Sequence, residues 1–104
     1  MLGRSLKNMN LNEYSKACHQ TAVEKGFWDA DKSIPTKLML IVTELSEACE
    51  ADRIGDYDNF KEEIADTFIR LFDLCGSNNI DIENEINSKM IINKGRPKLH
   101  GKKY

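Results

Sequence analysis

Apolar residues recur along this chain with the three- and four-residue spacing of amphipathic helices. The spacing predicts four helices: about residues 12–25, Pro35 to about Arg53, Asp58 or Asn59 to about Leu74, and Asp81 to about Asn93. No segment alternates apolar and polar residues with the two-residue period of a strand. The pattern therefore predicts an all-α fold, an antiparallel bundle of about four helices.

Glycine, proline and capping residues are placed to end and begin these helices. Gly26 follows the first helix, and Ser33 or Thr36 is a suitable cap where Pro35 begins the second. Pro97 disfavours helical dihedral angles at Arg96 and so ends the fourth. We predict one domain over residues 1–104, with a loose N-terminal arm at 1–10 and a basic C-terminal tail at 95–104.

The charge of −2 is unevenly spread along the chain. Residues 89–104 contain six basic residues and no acid, so all 17 acids lie in the remainder. This distribution argues against a nucleic-acid binder and favours metal ions together with a polyanionic small molecule. We expect a cytoplasmic protein, because no segment resembles a signal peptide or a membrane span. Three cysteines (Cys18, Cys49 and Cys75) lie in helical patterns beside apolar residues and are predicted to be buried free thiols.

Two pairs of acids lie on the consecutive second and third helices. Glu44-x-x-Glu47 and Glu63-x-x-Asp66 each have i,i+3 spacing, which places both acids of a pair on one helix face. A break at Gly55-Asp56 would turn the chain back and let the two faces meet. Four converging carboxylates repel one another unless cations lie between them, so the arrangement predicts a metal site.

Oxygen ligands alone favour a hard cation, and we therefore expect Mg²⁺, with Mn²⁺ as the alternative. A di-iron centre of the four-helix type would use Glu-x-x-His motifs, and zinc would use His or Cys; the acid pairs contain neither. Hard ions with open coordination positions commonly act on phosphates, and a carboxylate not saturated by metal can accept a proton from water.

Several further side chains carry specific expectations. Trp28, ahead of Phe27, is a candidate for stacking on a substrate base, whereas the alternative is that both plug the end of the bundle. Arg70 either pairs with Asp66 at i,i+4, or it neutralises the acids or contacts a phosphate. His19 is predicted to be a surface histidine. One face of the second helix is predicted to be apolar: Leu38, Ile41, Val42, Leu45, Ala48 and Cys49.

The two acid pairs and their spacing resemble the E-x-x-E…E-x-x-D metal signature of the MazG-like, all-α nucleoside triphosphate pyrophosphohydrolases. Residues 62–74 are similar to that family's third helix, and residues 89–102 are similar to its C-terminal segment. The similarity extends over nearly the whole chain from about Leu11. One copy of the motif set is present, as in the short single-domain members.

The resemblance implies hydrolysis of a nucleoside triphosphate to monophosphate and pyrophosphate by a homodimer or a tetramer of dimers. It implies Mg²⁺ held by Glu44, Glu47, Glu63 and Asp66, with one of the three glutamates activating the attacking water. It also implies substrate contacts from Lys89, Asn93, Arg96 and Lys98. Two alternatives remain: a phosphoribosyl-ATP pyrophosphatase, which shares the acid pattern, and a non-catalytic helical dimerisation or interaction module.

Overall fold

The computed structural model of the protein describes residues 8–104, and within that range it contains four α-helices and no strand. The helices are α1 (Leu11–Glu24), α2 (Ile34–Arg53), α3 (Tyr57–Ser77) and α4 (Ile82–Lys94), followed by a short 3₁₀ turn at Lys98–Gly101. The predicted all-α fold is confirmed, whereas most of the predicted arm at 1–10 lies outside the described residues. No helix in the described range is both long and apolar enough to cross a membrane.

Side-chain caps determine where the helices begin. Asn10 and Glu13 form a reciprocal capping box at α1, and Ser33 and Asp81 cap α2 and α4 as predicted. The predicted start of α3 at Asp58 or Asn59 was wrong. Asp56 is the cap, because its carboxylate accepts the backbone N–H of Asn59 at 3.1 Å.

Helix α3 is central, since α1 and α2 each pack against it. On the α1 side, Ser15 lies opposite Gly76 and His19 lies opposite Asp73, so α1 and α3 run antiparallel. On the other side, a short turn at residues 54–56 reverses the chain between α2 and α3. Gly55 adopts φ +75° there, a left-handed conformation that glycine accepts without strain.

Gly76 allows the close approach of α1 and α3. A Cβ atom at this position would lie 2.5 Å from the carbonyl oxygen of Ser15 and 2.8 Å from the Cβ of His19. The third helix was predicted to end near Leu74, but α3 continues to Ser77, so Gly76 lies inside it. Because Gly76 has no side chain, the backbones of α1 and α3 can approach closely at this position.

Gly76→Ala is expected to destabilise the protein by about 2 kcal/mol, the scale of overpacking a closely packed contact. The better helix propensity of alanine offsets only part of that loss. Gly95→Ala is the control, because its Cβ would meet nothing closer than 3.6 Å. Urea unfolding of both variants measures the difference, and an unchanged midpoint for Gly76→Ala would contradict the close contact.

Helix α4 is attached to the rest of the chain mainly at its first turn. The Asn12 side chain donates to Asp81 Oδ1 at 2.8 Å and accepts the backbone N–H of Glu83 at 3.2 Å. The remainder of α4 is exposed, including large apolar side chains at Ile86, Met90, Ile91 and Ile92. Within the described residues, the apolar side of α4 therefore has no large surface to cover it.

Helix α2 buries only part of the apolar face predicted for it. The buried positions are Lys37, Ile41, Glu44, Ala48 and Ala51. Of the predicted apolar face, Ile41 and Ala48 are buried, whereas Leu38, Val42, Leu45 and Cys49 are exposed, so the prediction that Cys49 is buried was wrong. The reason is that α3 lies against the strip that contains Glu44, and the more apolar strip of α2 beside it is left open.

Candidate metal centre

Three of the four predicted acids come together at the α2–α3 contact. One carboxylate oxygen each from Glu44, Glu63 and Asp66 lie within 4.8 Å of one another. Glu44 is buried, Glu63 is partly buried and Asp66 is exposed, so the group spans from the helix interface to the surface. The predicted convergence of the two helix faces is therefore observed for these three side chains.

Glu47 lies beside this group without belonging to it. It is exposed and one turn from Glu44 on α2. Its carboxyl nevertheless contributes to raising the pKa of Glu63, which places the two side chains close together.

Crowding of the acids favours the protonated form of Glu63. The neighbouring Glu44 carboxyl, followed by desolvation and by Glu47, raises the pKa of Glu63 to about 7. Glu63 Oε2 is buried and accepts no hydrogen bond from any described residue. A buried carboxylate oxygen with no partner is costly, so this atom is in an environment that suits a cation.

Arg70 supplies one positive charge to the group. Its Nε donates to Glu44 Oε1 at 2.8 Å, and this hydrogen bond is the main cause of a lowered pKa at Glu44. The alternative partner considered from the sequence was Asp66, one turn away on the same helix. The observed partner on α2 agrees with the other expectation, that Arg70 neutralises the acids.

The raised pKa of Glu63 predicts that stability depends on pH when no divalent ion is present. An unfolded glutamate ionises near 4.5, whereas Glu63 in the fold ionises at about 7, so the folded state binds more protons between these values. This contribution is complete below pH 4.5, and it is lost as the pH rises through 7.

We therefore expect Tm in EDTA to fall between pH 5 and pH 7.5 by more in the wild type than in Glu63→Gln. Glu62→Gln, an exposed neighbour on α3, is the control and should follow the wild type. Thermal unfolding monitored by circular dichroism measures all three proteins. Equal pH dependence in wild type and Glu63→Gln would contradict the crowding of the acids.

The donor set fits a hard divalent cation. Carboxylate oxygens from two helices, one of them buried and without a partner, match the ligand preference of Mg²⁺ and Mn²⁺. The group has no histidine or cysteine, so zinc is disfavoured. When bound, such an ion would offset charge on phosphate oxygens and lower the pKa of a water molecule.

A cavity of about 250 Å³ opens directly beside the acids. Acidic side chains lie at Glu44, Asp66 and Asp73, and positive charge comes from two residues on its wall, Lys37 and Arg70. Phe27, Leu40 and Ile69 supply the apolar surface. The cavity thus combines a highly charged part with an apolar part, as small-molecule sites in proteins commonly do.

The loop between α1 and α2 holds its two aromatic residues differently. Phe27 lines the cavity beside the acids, whereas Trp28 lines a separate cavity with His19 and donates its indole N–H to Asp73 at 2.9 Å. His19, predicted to be a surface residue, is partly buried, with Nδ1 2.8 Å from Asp73 Oδ1. That prediction was wrong because α1 packs onto α3 at His19.

Sequence reasoning did not assign roles to Lys37 and Asp73. Asp73 did fall on the same side of the third helix as Glu63, Asp66 and Arg70, and its position seven residues after Asp66 was the available signal. Lys37 gave no such signal, since a lysine in the first turn of a helix is ordinarily solvated. Its burial follows from the path of the preceding loop, whose backbone carbonyl it contacts.

The four predicted substrate contacts of the C-terminal segment lie away from the acids. Lys89, Asn93, Arg96 and Lys98 are all exposed, and none of them lines the cavity. Arg96 instead lies with Nη1 3.0 Å from Nδ1 of His100. A single copy of the chain therefore brings the acids together with the aromatic loop, but not with these residues.

Comparison of the chain with protein-family models, with curated proteins and with solved structures found no match. The MazG-like resemblance therefore stays a prediction that rests on the acid pairs and the C-terminal residues of the sequence.

Proposed function

We propose that the protein is a Mg²⁺-dependent nucleoside triphosphate pyrophosphohydrolase, which cleaves the α–β phosphoanhydride bond and releases a monophosphate and pyrophosphate. The observation that carries the proposal is the meeting of Glu44, Glu63 and Asp66 beside a partly apolar cavity, which Glu44 and Asp66 help to line. The E-x-x-E…E-x-x-D spacing of the sequence supports the same reaction.

In this proposal Glu44, Glu63 and Asp66 hold the ion, and Glu47 completes the set from the exposed side. A carboxylate of the group that is not saturated by metal accepts the proton of the attacking water. Glu47 and Glu63 are the candidates, because Arg70 already occupies Glu44. Arg70 lies beside both the acids and the cavity, where its guanidinium would also face a phosphate.

We further propose that the working unit is a homodimer or a tetramer of dimers. On α2 the exposed residues Leu38, Val42, Leu45 and Cys49 repeat at intervals of four, three and four, the spacing of a coiled-coil seam. Phe68 and Leu71 are exposed on α3. By helical periodicity both side chains lie on the side of α3 opposite the residues that line the cavity. No large side chain of the described residues is fully buried.

A second copy would also explain the exposed substrate residues. Lys89 and Asn93 share one face of α4, and within one chain that face lies outside the cavity. In an assembly, α4 of one protomer could cover the open apolar face of another and bring both residues towards its phosphates. This arrangement would give the apolar side of α4 a partner as well.

Pyrophosphate release from a panel of common and damaged nucleoside triphosphates, with Mg²⁺ and with EDTA, tests the proposed reaction. The proposal predicts Mg²⁺-dependent release of equal amounts of monophosphate and pyrophosphate. Preferred turnover of phosphoribosyl-ATP would indicate the related pyrophosphatase instead. The absence of turnover on every substrate, with no effect of Mg²⁺ on Tm, would favour a non-catalytic helical module.

A further inference from the structure

Asp73 is the meeting point of three elements around the cavity. Its Oδ1 accepts the indole N–H of Trp28 at 2.9 Å, and Oδ2 lies 3.2 Å from the same nitrogen. Nδ1 of His19, from α1, lies 2.8 Å from Oδ1. The Asp73 side chain is 14% exposed, so these contacts are largely shielded from water. The Asp73 carboxylate therefore connects α3 both to α1 and to the loop that follows α1.

Lys37, on α2, contacts the same loop. Its ammonium group donates to the carbonyl oxygen of Phe27 and lies 4.2 Å from the centroid of the Trp28 ring. Lys37 is 8% exposed, and a buried cation needs such partners. With the His19 ring packed edge-on against it at 5.2 Å, the Trp28 ring is held on several sides.

Phe27 differs from Trp28 in lining the cavity beside the acids, whereas Trp28 lines a separate one. The Phe27 ring is part of the cavity wall, and the residue is 56% exposed. The guanidinium of Arg70, which binds Glu44, lies 5.8 Å from the ring centroid. A planar group that stacks on Phe27 would therefore lie in the cavity that Glu44 and Asp66 also line.

We propose that Phe27 is the surface on which the nucleobase of the substrate stacks, and that Asp73 is a positioning residue which holds the 27–28 loop in place for it. The inference rests on the proposed function, since it presumes a substrate with a base and a triphosphate. It replaces Trp28 by Phe27 as the stacking ring and gives Trp28 the task of anchoring the loop. Stacking on an aromatic ring does not depend on the identity of the base.

The test compares a base-bearing substrate with one that lacks the base. Phe27→Ala and Asp73→Asn are each expected to raise KM for a deoxynucleoside triphosphate about tenfold, within the range measured for loss of base stacking. Both variants should hydrolyse deoxyribose 5′-triphosphate as the wild type does. Glu62→Gln, the exposed control on α3, should leave KM unchanged for both substrates.

Trp28 provides a second readout, because it is the only tryptophan of the chain. Asp73→Asn should shift its emission to longer wavelength as the indole loses part of its anchoring, whereas Phe27→Ala should shift it much less. A non-hydrolysable α,β-methylene nucleotide with Mg²⁺ should perturb this emission in the wild type and bind Phe27→Ala more weakly. This binding measurement does not require turnover.

The outcomes separate this inference from the proposed reaction. An equal rise in KM for the base-bearing and the abasic substrate would overturn the positioning role. Unchanged KM values in both variants would overturn it as well. If the wild type releases no pyrophosphate but binds the methylene analogue through Phe27, the reaction is wrong and the base site stands. If the analogue does not bind the wild type, the base site is also rejected.

Discussion

Glu63→Gln is expected to lower kcat/KM for nucleoside triphosphate hydrolysis by at least about a hundredfold, which corresponds to about 2.7 kcal/mol of transition-state stabilisation. The amide cannot bind a cation as a carboxylate does, nor can it accept a proton from water. Glu63 provides the buried, unpartnered oxygen of the group, so its loss affects the centre of the site. Glu47→Gln is expected to cause a loss of the same order.

The fold should survive these substitutions, because removing a charge from crowded acids relieves repulsion. Circular dichroism and Tm should therefore match or exceed the wild type in EDTA at pH 7.5. Glu62→Gln has the same chemical change on an exposed neighbour and should retain full turnover. If both Glu63→Gln and Glu47→Gln retained activity, these residues would be removed from the mechanism.

Leu45→Lys is expected to split the proposed oligomer into monomers at micromolar concentration. Leu45 is 48% exposed in one chain and lies in the open apolar strip of α2, so a lysine there would bury a charge only if two copies associate. Sedimentation velocity measures the change in mass. Turnover should fall in parallel, since the substrate contacts of α4 would then be lost.

Met39→Lys is the matched control, because Met39 is also exposed on α2, at 60%, but lies on another side of the helix. It should keep the mass and the activity of the wild type. A monomeric wild type, or equal masses for Leu45→Lys and the wild type, would contradict the proposed interface. A monomeric wild type with full activity would also reject the contribution of α4 from a second copy.

The local signals of the sequence were sufficient for the helices and for the meeting of the acids. Caps such as Ser33 and Asp81 act on their own helix, so they could be identified without knowledge of the packing. The convergence of Glu44 with Glu63 followed from i,i+3 spacing on two helices joined by a short turn. Both are consequences of residues close together in the chain.

The features that sequence reasoning missed depend on contacts between distant residues. Helix α2 has two neighbouring apolar strips, and periodicity alone could not show which of them faces α3. His19 and Trp28 meet on Asp73 across separations of 54 and 45 residues, which no local pattern encodes. The third helix was predicted to end before Gly76, because a glycine needed for close helix packing has the same local signature as one that ends a helix.

The central claim is that the acids of α2 and α3 bind a divalent cation, and isothermal titration calorimetry with Mn²⁺ and Mg²⁺ at pH 7.5 tests it most directly. The account predicts saturable binding to the wild type and to Glu62→Gln, and its loss in a variant that combines Glu44→Gln, Glu63→Gln and Asp66→Asn. Binding that is absent from the wild type, or unchanged in the combined variant, would contradict the account.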